Sequence, residues 1–240
     1  MSVAVLSGRR VARVDLVVGA PIEHAADHAT AVAAHFAGER ARNPKLWNGP
    51  FFLFENVRIE DDAFRAIARP TDYATFLHWR AQGYPGDART HVFPVPAVTT
   101  TDARLLVGVM GPATSNPGLA YPPSGSFDHH DVTGDRLDPV ANMVRELAEE
   151  AGIDAAALTP EPGFTVLSSG HGRIALVKRW RCPRAAADLT AAVARHIGAE
   201  VDPELGGFEV VPFSRRFDPA KTVPYVDALL TLLEAAEGVG

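Results

Sequence analysis

Residues 138–152 carry the clearest helix signal in the chain and constrain the fold more than any other segment. Asp138 can cap the N-terminus, Pro139 suits the first helical position, and Gly152 suits the C-terminal stop. Apolar residues recur between them every three or four positions, namely Val140, Met143, Val144, Leu147 and Ala151. This spacing predicts an amphipathic helix with one buried face.

Three carboxylates form a second stripe on the same helix. Glu146, Glu149 and Glu150 stand at i, i+3 and i+4, so they share one side. Their mutual repulsion, close to the negative end of the helix dipole, opposes helix formation. A hard divalent cation with oxygen ligands would compensate for that cost. Arg145, four residues before Glu149, could orient it or balance its charge, and a solvated acidic face remains the alternative.

Residues 145–153, RELAEEAGI, resemble the REUxEExGU half of the Nudix box, in which U is a bulky aliphatic residue, and every fixed position is present. The upstream half differs. The family places a glycine fourteen residues and a glutamate eight residues before the arginine, where this chain has Asp131 and Leu137. Gly125, in a Pro-Ser-Gly turn similar to the family's PGG turn, matches the glycine better, with a longer loop before the helix. The candidates to replace the glutamate are Asp135 and Asp138.

The resemblance implies an α/β fold, the Nudix-type α/β/α sandwich with a mixed β-sheet. We expect this domain at residues 86–240, after a smaller α+β extension at residues 1–85 that packs on it, with the boundary in loop 81–89. Periodicity predicts strands at 10–18, 51–59, 63–68, 91–98, 103–110, 163–168, 173–181 and 208–213, and helices at 22–42, 71–80, 139–151, 185–197 and 219–236. Irregular alternation of strands and helices agrees with a mixed sheet between helices.

The resemblance also implies metal-dependent catalysis, with Mg²⁺ or Mn²⁺ as the cofactor. The expected metal ligands are Glu146, Glu149, Glu150, Glu204 and Ser124, the last through its carbonyl oxygen. The expected catalytic group is Glu149, Glu150 and Arg145, with Arg145 as an orienting residue. Either Glu149 or Glu204 could serve as the general base, and Glu200 and Glu209 are the alternatives to Glu204.

Four residues are expected to contact the substrate. Tyr121 and Phe127 flank the turn that contains Gly125, and Arg173 follows the turn of a predicted hairpin. The two aromatic rings could stack on a base, although aromatic residues beside a glycine loop more often pack on the core.

A weaker resemblance covers more of the chain and concerns the substrate. The order TDYATFL at 71–77, the Pro-Ser-Gly turn, the long box loop and Gly-Arg at 172–173 is similar to the Nudix branch that hydrolyses UDP-glucose and UDP-galactose. It implies cleavage of a pyrophosphate bond to give UMP and a sugar 1-phosphate. A Nudix-fold nucleotide sensor without catalysis is the alternative, and the retained box glutamates favour the enzyme.

Composition limits the partners. The net charge of −6 and the pI near 5.8 give no global basic field for nucleic acid, so an anionic substrate needs local positive charge or a metal. Cys182 is the only cysteine, which excludes an intrachain disulfide and fits a reducing cytoplasm. No apolar run reaches membrane length. We expect a cytoplasmic protein that acts on a small nucleoside diphosphate derivative, without nucleic acid or membrane partners, and leave a homodimer open.

Overall fold

The structure, a computed structural model, describes residues 8–23, 26–85, 89–201 and 203–238, except the side chains of 26 and 27. Its α-helices are α1 (Ala26–Arg42), α2 (Tyr73–Ala81), α3 (Pro139–Ala151), α4 (Ala186–Ala199) and α5 (Tyr225–Glu237). Its strands are β1 (Arg9–Val11), β2 (Arg13–Val18), β3 (Pro50–Glu60), β4 (Ala63–Asp72), β5 (His91–Thr99), β6 (Arg104–Met110), β7 (Ala120–Tyr121), β8 (Val132–Thr133), β9 (Arg136–Leu137), β10 (Thr159–Pro160), β11 (Phe164–Ser168), β12 (Arg173–Arg181) and β13 (Leu205–Pro212). No helix within these ranges is both long and apolar enough to cross a bilayer.

The strands form two mixed sheets. The first sheet has the order β1-β11-β12-β5-β6-β13, with β10 beside β12 and β7 beside β6. Its β12 and β5 are parallel over their whole length, and its other pairs are antiparallel. The second sheet has the order β3-β4-β2-β9-β8, in which β2 and β4 are parallel. The predicted α/β class with a mixed sheet is confirmed.

Side-chain alternation along β5 and β12 directs residues to two layers. Val95 and Val177 point to one face of the first sheet, where they form a core with α5. Val92 and Leu176 point to the other face, where they pack with the second sheet and with Met143 of α3. Farther along that face the buried apolar residues of α3 and α4 form a third core cluster. Helices therefore cover both faces of the first sheet, as in an α/β/α sandwich.

Strands from the two predicted domains pair with each other. Strand β1 pairs with β11 in the first sheet, and β2 pairs with β9 in the second sheet. The division at residues 85 and 86 stays a prediction, and the structure joins the two segments through both sheets.

Several elements differ from the predicted boundaries: α1 begins at Ala26 and not at residue 22, β4 continues to Asp72 so that α2 begins at Tyr73 and not at residue 71, and β13 begins at Leu205 and not at residue 208. Two further differences have a visible cause. The predicted strand 10–18 is interrupted at Ala12, because the N–H groups of Ala12 and Arg13 donate to the Asp62 carbonyl, at 2.9 and 3.3 Å. The last helix begins at Tyr225 and not at residue 219. Residues before it lie against β7 instead, where the Thr222 hydroxyl donates to the Ala120 carbonyl over 2.6 Å.

Candidate active site

Helix α3 has the capping that its sequence predicts. The Asp138 carboxylate accepts from the N–H groups of Val140 and Ala141, at 2.8 and 3.1 Å, and Gly152 ends the helix with φ of 62°. Gly152 is required for a second reason, since a Cβ there would lie 2.4 Å from the His196 ring. Of the predicted apolar face, Met143, Leu147 and Ala151 are buried, Val140 is half-buried, and Val144 is 39% exposed at the edge.

The three glutamates of α3 do not share one environment. Glu146 and Glu150 are buried, at 7% and 5% exposure, whereas the Glu149 side chain is 59% exposed. The Glu146 carboxylate lies directly on the backbone of Gly125, because a Cβ at Gly125 would lie 2.1 Å from Glu146 Oε1. The turn before the box therefore needs glycine so that the carboxylate can approach. This contact explains the Pro-Ser-Gly match in physical terms.

The pKa values of the two buried carboxyl groups are raised. Burial raises the pKa of Glu146 to about 7, with Arg145 opposing the change and the Glu149 charge adding to it. Burial, followed by the charges of Glu146 and Glu204, raises the pKa of Glu150 well above its usual range, while a backbone hydrogen bond from Ser124 opposes this. The Glu150 Oε2 atom is buried without a hydrogen-bond partner. A cation with oxygen ligands fits this pair, because it would satisfy that oxygen and the charge of both groups.

Arg145 links the box acids to the long loop before the helix. Its Nη1 lies 2.8 Å from Glu146 Oε1 and 3.0 Å from Glu149 Oε2, and its Nη2 lies 3.4 Å from Asp131 Oδ1. Asp131 is 2% exposed, and its Oδ2 accepts from the Asp128 N–H and from Asn142 Nδ2, both at 2.9 Å. Asp131 therefore fixes the guanidinium that contacts both glutamates.

The long loop also forms structure of its own. Residues 132–137 make the β8–β9 hairpin that extends the second sheet, and a 3₁₀ turn at His129–Asp131 precedes it. Neither sequence candidate for the missing glutamate reaches the acids: Asp138 is the helix cap, and the Asp135 side chain is 76% exposed. By sequence Asp131 is a loop residue at the position of the family's glycine, so its contact with Arg145 could not be predicted.

Glu204 approaches the same acids from the start of β13. Its charge contributes to the raised pKa values of Glu146 and Glu150. Its carbonyl oxygen accepts from the Gly111 N–H over 2.8 Å, which holds this segment against β6. The two alternatives to Glu204 have other surroundings. Glu200 pairs with His196 at 3.1 Å, and Glu209 lies exposed on β13.

Side-chain atoms that could bind a metal lie closer together in another cluster than they do among the glutamates. Within the described ranges, only Asp128, His129 and His130 bring three such atoms within 4.8 Å of one another, so the glutamates form no group that close. The two imidazoles are exposed and contact each other, and Asp128 accepts from the His130 N–H over 2.7 Å. Capping of the 3₁₀ turn explains this cluster without a metal.

Two cavities adjoin the acids. The inner cavity, of about 120 Å³, is lined by Arg80, His91, Tyr121, Gly125 and Arg173, among others. The outer cavity, of about 410 Å³, is lined by Lys45, Trp47 and Glu204, among others. Both include Tyr73, Ser115 and Ser126, so they are neighbours.

Of the expected substrate contacts, Tyr121, Gly125 and Arg173 all lie on the inner cavity, together with Ser124. Phe127 borders the outer cavity but is only 1% exposed, and its ring packs 5.8 Å from that of Phe54. We therefore assign Phe127 to the core, because its ring has no free face for a base.

Trp47 is the exposed aromatic residue that the site does offer. It is 69% exposed at the edge of the outer cavity, and its ring lies over Gly49, where a Cβ would come within 2.7 Å. The loop is fixed on both sides, because Asn43 Nδ2 donates to the Ala113 carbonyl over 2.8 Å and Asn48 Oδ1 accepts from the Ala74 N–H over 2.7 Å. The signal in the sequence is a tryptophan inside a turn-rich segment.

Several solved structures are similar to this chain at low sequence identity. No protein-family model matches the chain, and no curated protein matches it. Similar solved structures include a Nudix hydrolase from M. smegmatis (15% identity, 63% of this chain, 90% of that chain, TM-score 0.38). Others are a Nudix hydrolase from Nitrosomonas europaea (14%, 62%, 90%, 0.41) and an Ap4A hydrolase from C. elegans (14%, 61%, 96%, 0.37). At these identities and TM-scores the similarity assigns neither a reaction nor a substrate.

Proposed function

We propose that this protein is a Nudix hydrolase that uses a divalent cation to cleave the pyrophosphate bond of a nucleoside diphosphate linked to another moiety. The observation that carries the proposal is the pair of buried carboxyl groups, Glu146 and Glu150, on a helix that matches the box. A cation is the simplest partner for two buried acids that contact each other. A solvated acidic face would leave both groups exposed, as Glu149 is.

The proposed role of each residue follows from its position in the site. Glu146 and Glu150, with Glu204 and the Ser124 carbonyl beside them, would hold Mg²⁺ or Mn²⁺. The bound cation would neutralise phosphate oxygens and lower the pKa of water. Arg145, held by Asp131, orients the glutamates. Exposed Glu149 and Glu204 are the candidates to accept a proton from the attacking water, which adds to phosphorus as the bridging oxygen leaves.

The shape of the site supports a substrate with two unequal parts. The outer cavity has room for a nucleoside, and the exposed ring of Trp47 offers a stacking surface. Helix α2, from the TDYATFL segment, supplies Tyr73, Phe76 and Arg80 to the inner cavity. This contribution supports the weaker resemblance, and we propose a UDP-sugar, cleaved to UMP and a sugar 1-phosphate, as the substrate class.

The proposal is tested by product release from UDP-sugars, ADP-ribose and dinucleoside polyphosphates, each with Mg²⁺, with Mn²⁺ and with chelator. Glu150→Gln should lower kcat about 100-fold or more while the protein stays folded, because it keeps the size of the side chain and removes its charge. Glu23→Gln, at an exposed position, is the matched control. A fully active Glu150→Gln protein would exclude this metal site, and nucleotide binding without cleavage under any metal would indicate a sensor.

A further inference from the structure

Two guanidinium groups meet at the inner cavity without an acidic partner. Among the described residues, neither Arg80 of α2 nor Arg173 of β12 forms an ion pair with a carboxylate. Arg80 lies 5.7 Å over the Phe76 ring, and Arg173 lies 5.2 Å over the Tyr84 ring. Arg173 Nη2 donates to the Ser169 carbonyl over 2.8 Å, but its Nε is buried with no partner. The buried Nε donor of Arg173 is costly without a ligand, and two half-buried cations without an acidic partner attract an anion.

A buried histidine completes this wall of the cavity. Burial, followed by the charges of Arg173 and Arg80, lowers the pKa of His91 to about 3, so its ring is neutral at physiological pH. Its Nε2 lies 3.1 Å from Ser126 Oγ, whereas its Nδ1 is buried without a partner. When the Ser126 hydroxyl donates to Nε2, Nδ1 carries the proton and becomes a donor. None of the described lining residues is acidic, so the cavity favours an anion.

The size of the cavity limits what that anion is. Its volume of about 120 Å³ is well below the roughly 300–1,000 Å³ of pockets that enclose whole drug-sized ligands. A nucleoside therefore does not fit, whereas a phosphate or carboxylate group does. Glu146 contacts Gly125, which lines the cavity, so a substrate held by the acids is within reach of the cavity.

We propose that the inner cavity binds a second anionic group of the substrate, held by Arg80, Arg173 and His91. The identity of that substrate rests on the proposed function, whereas the anion site does not. The anion has two sources, either the phosphate of the pyrophosphate that is not attacked or a terminal acidic group on the moiety opposite the nucleoside. The guanidinium group of arginine can bind a phosphate or a carboxylate through two parallel hydrogen bonds.

The first experiment measures binding without catalysis. Orthophosphate is titrated calorimetrically into the full chain in the presence of chelator, at constant ionic strength with chloride as the balance, so that metal-bound phosphate is excluded. The wild type should bind in the millimolar range, and Arg80→Met should weaken binding about tenfold or more. Arg80→Lys should retain part of the affinity, and Arg195→Met, at an exposed position on α4, should bind like the wild type. No binding by the wild type, or equal binding by Arg80→Met, overturns the proposal.

The second experiment identifies the source of the anion. UDP-glucose and UDP-glucuronate differ only in a terminal hydroxymethyl or carboxylate group, so kcat/KM is compared for both. If the cavity holds the terminal group, Arg80→Met lowers kcat/KM for UDP-glucuronate about 10- to 100-fold and leaves UDP-glucose nearly unchanged. If it holds a phosphate of the pyrophosphate, both substrates lose equally. Unchanged kinetics with both substrates would overturn the proposal.

The two proposals fail in different ways. If no substrate is cleaved but phosphate binding depends on Arg80, the result supports the anion site and contradicts the hydrolase assignment. Arg173→Lys keeps the positive charge at position 173 but loses the bidentate geometry of the guanidinium. It is a second variant with which the phosphate-binding result is checked. Circular dichroism and Tm confirm that each variant is folded before binding is compared.

Discussion

Replacing Glu146 by glutamine should remove much of the pH dependence of stability in the metal-free protein. The Glu146 carboxyl titrates near 4.5 in an unfolded chain and near 7 in the folded protein. Between these pH values the folded state keeps a proton that the unfolded chain has released. The contribution of this carboxyl to the free energy of unfolding is therefore fully present at low pH and is lost as the pH rises through 7. One pH unit corresponds to about 1.4 kcal/mol, and the contacting carboxyls of Glu146 and Glu150 titrate together, so the pair lowers the free energy of unfolding by about 3 kcal/mol or more from pH 4.5 to pH 8.

The assay is urea denaturation in chelator at several pH values between 4.5 and 8. The wild type should lose about 3 kcal/mol or more of unfolding free energy over that range, since Glu150 is perturbed in the same direction. Glu146→Gln should lose less unfolding free energy than the wild type, by up to about 3 kcal/mol, whereas Glu23→Gln should follow the wild type. Mg²⁺ added at pH 8 should restore stability to the wild type more than to Glu146→Gln, because binding to the folded state adds stability. Parallel pH profiles for the wild type and Glu146→Gln would refute the buried-carboxylate reasoning.

Two further substitutions test the contacts around the acids. Gly125→Ala places a Cβ 2.1 Å from Glu146 Oε1, so it should displace the carboxylate and lower kcat at least tenfold; Gly198→Ala, where a Cβ meets nothing within 4 Å, should keep full activity. Equal activity of the two alanine variants would show that the approach of Glu146 is not required. Asp131→Asn removes the charge that holds Arg145, so kcat should fall about 10- to 100-fold with little change in KM, and a change in KM alone would assign Asp131 to substrate binding.

The parts of the site that the sequence could predict are those determined by local signals. Asp138, Pro139 and Gly152 define the ends of α3 through contacts within a few residues, and the structure has each of them in place. The position of Gly125 came from a motif match, and its contact with Glu146 supplies the reason. Such features need no knowledge of which strands pair.

The parts that could not be predicted depend on contacts between distant segments. Strands β8 and β9 have two residues each, too few to show alternation, and they exist because β9 pairs with β2 from near the N-terminus. Asp131 lies in a loop by sequence and becomes buried only when that hairpin is formed. Arg80 resembles any charged residue at the end of a helix until β5 and β12 place His91 and Arg173 beside it.

The placement of the tryptophans makes the protein its own optical reporter. The chain has three: Trp79 and Trp180 are 5% and 4% exposed, whereas Trp47 is 69% exposed. Excitation of the native protein should therefore give two blue-shifted contributions and one red-shifted contribution, of which iodide quenches only the last. A nucleoside that enters the outer cavity would cover Trp47 and protect that emission from iodide. Occupancy of the outer cavity can thus be followed in real time without a label and without turnover.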